Sequence, residues 1–402
     1  MAYNADEKID IVVGIPSYNE ADTIGFVAER VSEGLSEYFP DRKSIIVNVD
    51  NNSADNTREA FLNTKTVVEK KYITTGGDVR GKGHNLLNLF NYAVSINADM
   101  VIVVDADLRS ITKEWIRLLA IPICDGHDFV TPLYSRHQFD GSITNHICYP
   151  VMFGMLSTDV RQPIGGDFAL SSRLVRYLLK RKWSKSVKQY GIDIFLTMNA
   201  VFGDFKLCQT SLGRKIHNAS APKLGPMFVQ VISTLLNMLV DHKDYWMSNG
   251  INKIRKPKIY GDEKLPEPQE LDIDMHYLKE QCNKSYKKEL PVISELLGPY
   301  ATSRINNMFK MDYYNINVLL WTQIFYNLLF QYDNADGAAE KKRIIAALKP
   351  LYFARSMSFN YTTWKYNIQY AEMDIRDQAL GFATQRYYLW GLYSCRSDIN
   401  RF

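Results

Sequence analysis

Asp105 and Asp107 stand at the end of a mostly β-branched run, residues 99–104 (DMVIVV), separated only by Ala106. Residues two apart on an extended chain point to the same side, roughly 6.5 to 7 Å from one another. Two carboxylates so placed can share one hard cation. Mg²⁺ or Mn²⁺ takes such oxygen ligands and keeps positions open for substrate phosphates, where it can neutralise a departing diphosphate. The spacing alone is weak, because at about 6% aspartate one or two such pairs arise by chance in a chain of this length. The chain carries its own control. Asp272 and Asp274 have the same spacing but follow a polar, proline-rich stretch and end no apolar strand. They read as solvated surface, and Asp105 with Asp107 as a metal site.

Other clusters can carry chemistry, each with a plainer reading beside it. Gly81-Lys82-Gly83 follows Arg80 and opens a helical stretch, so backbone N–H groups and two cations can face a phosphate. It lacks the P-loop spacing and can equally be a flexible turn. Asp50-Asn51-Asn52-Ser53 offers donors and acceptors for a base or ribose, and also suits an Asx turn that caps a helix. In Gln162-Pro163-Ile164-Gly165-Gly166-Asp167 the glycines permit close backbone approach and Asp167 can hold sugar hydroxyls or cap a turn. Asp193, opening an apolar helix after Tyr190-Gly191-Ile192, reads on its own as a helix cap. His217 ends a strand-like stretch, 207–216, and neutral imidazole suits Mn²⁺ as a third ligand, although a lone histidine is usually structural.

The elements that must position these residues alternate. Residues 9–15 (IDIVVGI) read as a strand buried on both faces, with 44–49, 70–74 and 99–104 as further strands. Residues 21–38 and 85–97 have helical spacing. Such alternation implies an α/β fold with a mostly parallel sheet, whose ligands bind beyond the carboxyl ends of the strands. That rule gathers 16–20, 50–53, 81–83 and 105–107 on one edge. Beyond residue 217 the chain turns helical, with 256–272, rich in proline and charge, as a linker or exposed loop. Residues 305–331 and 336–348 show helical periodicity. The expected division is a nucleotide-binding domain over 1–254, a linker over 255–274 and a helical C-terminal domain over 275–402.

The 402 residues are 46% hydrophobic and 23% charged, which fits a globular protein with a main core and a smaller second one. No uninterrupted apolar run is long enough to span a bilayer, and the polar, acidic start leads to the expectation of no leader peptide. A net charge of +4, evenly spread, points to neither nucleic acid nor an anionic membrane as partner. Five scattered cysteines form no CxxC pair, which fits a reducing cytoplasm.

Taken in order, Pro16 to Glu20, Asp50 to Ser53, Gly81 to Gly83, Val104 to Leu108, Gln162 to Asp167, Tyr190 to Asp193, and His217 resemble one group of glycosyltransferases. These are the retaining GT-A enzymes of the glucosyl-3-phosphoglycerate, glucosylglycerate and mannosylglycerate synthase group. The first four segments are shared with a broad set of glycosyltransferases, inverting ones included; the last three point to the narrower group. The resemblance implies a GT-A, Rossmann-like, nucleotide-sugar-binding domain. Pro16, Asn19, Glu20, Asp50 and Ser53 would line the nucleotide pocket, and Lys82, Asp105 and Ala106 would meet the rest of the donor. Asp105, Asp107 and His217 would hold Mg²⁺ or Mn²⁺, and Asp167 and Asp193 would lie near the transferred sugar or the acceptor.

Gly141-Ser142-Ile143-Thr144 stands where phosphoglycerate-using relatives resemble Gly-Arg-Val-Thr. A hydroxyl gives no bidentate clamp on phosphate. The expected acceptor is therefore glycerate or a similar hydroxy acid, met by Gly141, Ser142, Thr144 and Asn145, with 3-phosphoglycerate as the alternative. The expected donor is of the UDP-glucose or GDP-mannose type, and self-assembly is left open. Neighbouring readings are an inverting glycosyltransferase with Asp167 or Asp193 as base, and a nucleotidyltransferase that releases pyrophosphate. A silent sugar-nucleotide-binding scaffold is the reading from another class, and the intact Lys82, Asp105, Asp107 and His217 stand against it.

Overall fold

The computed structural model describes residues 8–76, 80–216, 224–248, 253–262, 264–271 and 274–399. The chain divides into two compact units: Met1–Arg136, Val160–Thr234 and Pro257–Gln269 form one, and His137–Asp159, Leu235–Lys256 and Glu270–Phe402 the other. These units interleave along the chain, unlike the consecutive pieces expected from sequence. Two observations account for the difference. Residues 137–159 contribute Tyr149 to a core with Phe359, Ala371, Ile375 and Ala379, and the expected linker contains a strand of the sheet.

Among the described residues the first unit is built on eight strands: β1 (Ile11–Ser17), β2 (Ser44–Asp50), β3 (Glu69–Thr74), β4 (Met100–Val103), β5 (Phe129–Ser135), β6 (Phe168–Ser171), β7 (Leu207–Arg214) and β8 (Lys258–Tyr260). Their spatial order is β3-β2-β1-β4-β6-β5-β7-β8, and only β6 runs antiparallel to its neighbours. Every residue of β1 is buried, as a strand covered on both faces requires. Ile11, Val13 and Ile15 face α1 (Ile24–Tyr38) and the helix Lys113–Cys124 through Val27, Val31, Trp115 and Ile116. α2 (Thr57–Asn63) packs on that same face, with Phe61 in the shared core; on the other face α3 (Lys82–Ser95) lies so close to β1 that a Cβ on Gly14 would stand 2.1 Å from Leu89. Pro16, which lacks an N–H, sits beyond the end of β4, whose pairing with β1 stops at Gly14.

Between β5 and β7 the register slips by one residue at Leu133/Tyr134, opposite Gly213 at φ 74°. Such a bulge bends a strand locally; Tyr134 pairs with Gly213 just beyond it, and Lys215 follows the last residue of β7.

The second unit is helical. A π-helical turn, Thr144–Cys148, runs into the helix Tyr149–Gly154. Its displaced carbonyls find side-chain donors: Trp321 Nε1 donates to the His146 oxygen at 2.7 Å, and Gln378 Nε2 to the oxygens of Asn145 and His146 at 3.2 and 3.0 Å. The expected helix over 305–331 is divided between the helical segment Met275–Lys310, itself broken by a kink at Gly298 with φ 72°, and the helix Val318–Asp333. Asp312, at φ 55°, breaks the run, and the Asn317 side chain caps the second helix by accepting from the Leu320 amide. The helices Lys243–Ser248, Gly337–Thr363, Ile368–Thr384 and Arg386–Ile399 also belong to the unit.

Among the described residues one helix, Leu224–Asp241, is long and apolar enough by length and composition to cross a membrane. Gln230, Ser233, Thr234 and Asn237 interrupt it, and Phe228, Ile232, Leu235 and Leu239 are buried within the fold.

Candidate functional site

At the carboxyl end of β2, Asp50 is almost fully buried and accepts from four donors. These are Ser17 Oγ at 2.8 Å, Ser53 N at 2.7 Å, Ser53 Oγ at 2.6 Å and Tyr72 OH at 3.0 Å. Ser53 Oγ in turn accepts from the Asn19 amide at 2.7 Å, and the Asn19 side chain accepts from the Ala54 amide at 3.0 Å. Asn19 and Asn52 take left-handed backbone angles, φ 57° and 56°, which asparagine tolerates. Asp50 and Ser53 thus lock the turns after β1 and β2 together. Asn19 and Glu20, held across the two turns by these bonds, line a cleft of about 480 Å³ with Ala54, Asp55 and Arg109.

A buried charge cluster lies on the same edge. Lys82 Nζ donates to Asp105 Oδ1 at 2.6 Å and to the Gly166 carbonyl at 2.7 Å. Lys215 Nζ donates to the other Asp105 oxygen at 2.9 Å, to Asp167 Oδ2 at 2.7 Å and to the Gly165 carbonyl at 2.9 Å. Asp167 also accepts from the Asp105 amide at 2.8 Å and from the Tyr134 hydroxyl, whose ring lies 5.0 Å from the Lys215 ammonium. Asp193 Oδ1 stands 3.5 Å from Lys82 Nζ and has no hydrogen-bond partner, so it is not the helix cap that its position at the start of Ile192–Phe202 suggests.

The electrostatics follow from burial against pairing. Burial disfavours charge on Asp105, but Lys215 and then Lys82 outweigh it and hold the carboxyl well below the usual carboxylate range. Burial also opposes both ammoniums, yet Asp105 and its neighbouring carboxylates hold Lys82 and Lys215 above the ordinary lysine value. Asp193 is different: burial pushes it up, and Lys82 only partly offsets that. Burial, and then Asp167, pushes the Tyr134 phenol far up, so it stays a donor.

The glycines are there for close approach. Gly166, at φ 96°, would place a Cβ 2.4 Å from Asp105 Oδ2 and 2.8 Å from Lys215 Nζ. A Cβ on Gly83 would lie 1.8 Å from the Val187 carbonyl oxygen. The amides of Gly83 and His84 donate to the carbonyls of Gln189 and Lys188 at 3.1 and 2.8 Å, and the Gly81 amide to Asn51 Oδ1 at 3.3 Å. The helix start expected to cradle a phosphate therefore spends these amides within the protein and presents the Lys82 side chain. Arg80 turns outward and donates to the Tyr18 hydroxyl at 2.8 Å.

The cluster unites Lys82, Asp105, Asp167 and Asp193. It also contains two residues that sequence reasoning missed, Lys215 and Tyr134. The available signal for Lys215 was its place at a strand end, two residues before His217. Asp167 is 0% exposed, its carboxylate spent on donors within the protein. His217 lies outside the described residues, as does Asp272. Gly141, Ser142, Thr144 and Asn145 belong to the helical unit. There Ser142 Oγ bonds the Tyr352 hydroxyl, and Asn145 Nδ2 donates to the Asp140 carbonyl at 3.0 Å.

For a metal, no group of three or more histidine, cysteine or acidic side chains among the described residues is arranged to hold an ion. Both oxygens of Asp105 are engaged by ammoniums, and Asp107 lies half-buried beyond the end of the same strand. One carboxylate completed by donor phosphates and water is an ordinary Mg²⁺ environment.

Residues 12–177 match the model for glycosyl transferase family 2, and the chain is a glycosyltransferase. No curated protein matches the chain. Among solved structures, it is similar to glucosyl-3-phosphoglycerate synthase from Mycobacterium tuberculosis in complex with Mn²⁺, UDP and glucosyl-3-phosphoglycerate. That likeness has 24% identity over 58% of this chain and 81% of the other, with a TM-score of 0.47. The same enzyme with Mg²⁺ and UDP gives 23% identity over 58% and 80%, TM-score 0.47. With Mn²⁺, UDP-glucose and phosphoglyceric acid it gives 23% over 58% and 81%, TM-score 0.45.

Proposed function

We propose that this glycosyltransferase moves a hexose, glucose or mannose, from a nucleotide diphosphate sugar to glycerate or a similar hydroxy acid, with retention and with Mg²⁺ or Mn²⁺. The observation that carries the donor side is the meeting of Lys82 and Lys215 on Asp105 at the carboxyl edge of a mostly parallel sheet. Of the two, Lys82 is the more exposed, 13% against 4% for Lys215, and is the ammonium offered to the donor diphosphate. Asn19 and Glu20 supply the nucleotide cleft, and Asp50 and Ser53 hold its wall.

Within the cluster three carboxylates face two ammoniums, with the Arg136 guanidinium 5.4 Å from the Tyr134 ring. A diphosphate approaching it needs further positive charge, which favours a divalent ion on Asp107, with His217 as the additional ligand that the motif resemblance suggests. Bound there, the ion would neutralise charge on the departing diphosphate. Lys82 does the same from the protein side. Asp193, beside Lys82 and lacking a partner on Oδ1, is suited to hold a sugar hydroxyl. In front-face attack the acceptor proton passes to a leaving-group oxygen, so no side chain has to act as base.

For the acceptor, the support is the resemblance of Gly141 to Thr144, in which Ser142 offers a hydroxyl where phosphoglycerate-using relatives have arginine. The test is to incubate the protein with UDP-glucose or GDP-mannose, Mg²⁺ or Mn²⁺, and glycerate or 3-phosphoglycerate, and to weigh the products. Hexosyl glycerate is expected, with the donor's anomeric configuration. A hexosylated phosphoglycerate in preference would reject the acceptor, and an inverted product the retention.

A further inference from the structure

Asp167 satisfies three donors at once, the Asp105 amide, the Tyr134 hydroxyl and the Lys215 ammonium, and it has no exposed surface. Lys215 completes the circuit by returning to the Asp105 carboxylate. The loop that carries Asp167 closes over the same atoms, since Gly165 and Gly166 give their carbonyls to Lys215 and Lys82. Tyr134 reaches the cluster from just beyond the β5/β7 bulge. The Asp105 side chain and backbone are thus held from two directions by buried groups.

Resting on the reading of this cluster as the donor site, we propose that Asp167 is a positioning residue: with Tyr134 it anchors Lys215, and through Lys215 and the Asp105 amide it fixes the Asp105 carboxylate. Asp105 and Lys82 meet the donor, and Asp167 and Tyr134 set where they stand. A misplacement of about 1 Å at such a site costs on the order of a hundredfold in rate without abolishing substrate binding.

The test is the kinetics of Asp167→Asn, which keeps the shape and loses the charge, and of Tyr134→Phe, which loses only the hydroxyl. Both are expected to lower kcat, roughly tenfold to a hundredfold for Asp167→Asn and less for Tyr134→Phe. The KM for the nucleotide sugar should stay within about twofold, and the preference between glucose and mannose donors should not change. A changed sugar preference, or a raised donor KM at unchanged kcat, would show that Asp167 meets the sugar and overturn the proposal. Unchanged kcat in both variants would overturn it too. If Asp167→Asn does not fold, Tyr134→Phe decides alone. A second arm needs no turnover: thermal unfolding of Asp167→Asn, Lys215→Met and the double variant should show the two losses coupled, not additive. If the wild type transfers no sugar, the function proposed above fails by itself, and this cycle still reads the anchor; additive losses would show that no anchor exists.

Discussion

Lys82 is the residue on which the donor side of the account turns, because its ammonium joins the Asp105 carboxylate to the partly exposed flank of the cluster. Lys82→Met should lower kcat/KM by about a hundredfold to a thousandfold, in line with the loss of one preorganised group at a developing charge, and steady-state rates with the preferred donor check this. Asp193 gives a prediction with a definite sign. Its pKa is raised by burial, so the folded chain holds that proton more firmly than the unfolded chain. The associated stability is full below the usual carboxylate range and is lost as pH rises through the raised value. Asp193→Asn, which cannot ionise, should therefore match the wild type in acid and exceed it at neutral pH. Urea midpoints across that range measure it, and a constant difference at every pH would reject the assignment. Asp105 and Lys82 could be picked out in the sequence because one ends an apolar strand and the other sits in a glycine-rich turn. Lys215 offered only its place at a strand end, and Tyr134 looks like an ordinary member of its strand until the fold brings both onto Asp167.

At the scale of elements, the loop before β6 is as important as the strands themselves. Gly166→Ala would drive a Cβ into the Asp105–Lys215 pair at a backbone angle that alanine resists, and should cost about 1 to 3 kcal/mol along with most of the turnover. Gly76→Ala, with no atom within 4 Å of the added Cβ, is the control and should be silent in both melting and rate. β1, β2 and β4 could be read from their β-branched, uninterrupted composition, because central parallel strands are buried on both faces. β6 and β8 could not. The first is a four-residue antiparallel strand; the second is only three residues long, at the sheet's edge among prolines and charges. The glycines of 81–83 were visible as unusual, but their reason, the backbone of Val187 to Gln189 pressed against them, lies a hundred residues away in the chain and leaves no local mark.

Over the whole molecule, donor chemistry and the segment proposed for the acceptor belong to different compact units, which gives them separate tests. Ser142→Arg should move the kcat/KM ratio towards 3-phosphoglycerate by roughly tenfold to a hundredfold, the worth of one charge-assisted contact to phosphate, and leave the nucleotide-sugar KM unchanged. Paired acceptor kinetics at saturating donor would show it. The interleaving of the units is the feature least open to sequence reading, because composition changes gradually along the chain whereas 137–159 joins its core through Tyr149, a residue with no distinguishing neighbourhood. The central claim is that the cluster built on Lys82 and Asp105 cleaves a nucleotide sugar between sugar and diphosphate. Phosphorus NMR of the intact protein with UDP-glucose or GDP-mannose, Mg²⁺ and glycerate tests it most directly. The account predicts release of the nucleoside diphosphate in step with consumption of glycerate, and near-complete loss of that signal in Lys82→Met. Pyrophosphate or nucleoside monophosphate as the released species, or an undiminished rate in Lys82→Met, would contradict it.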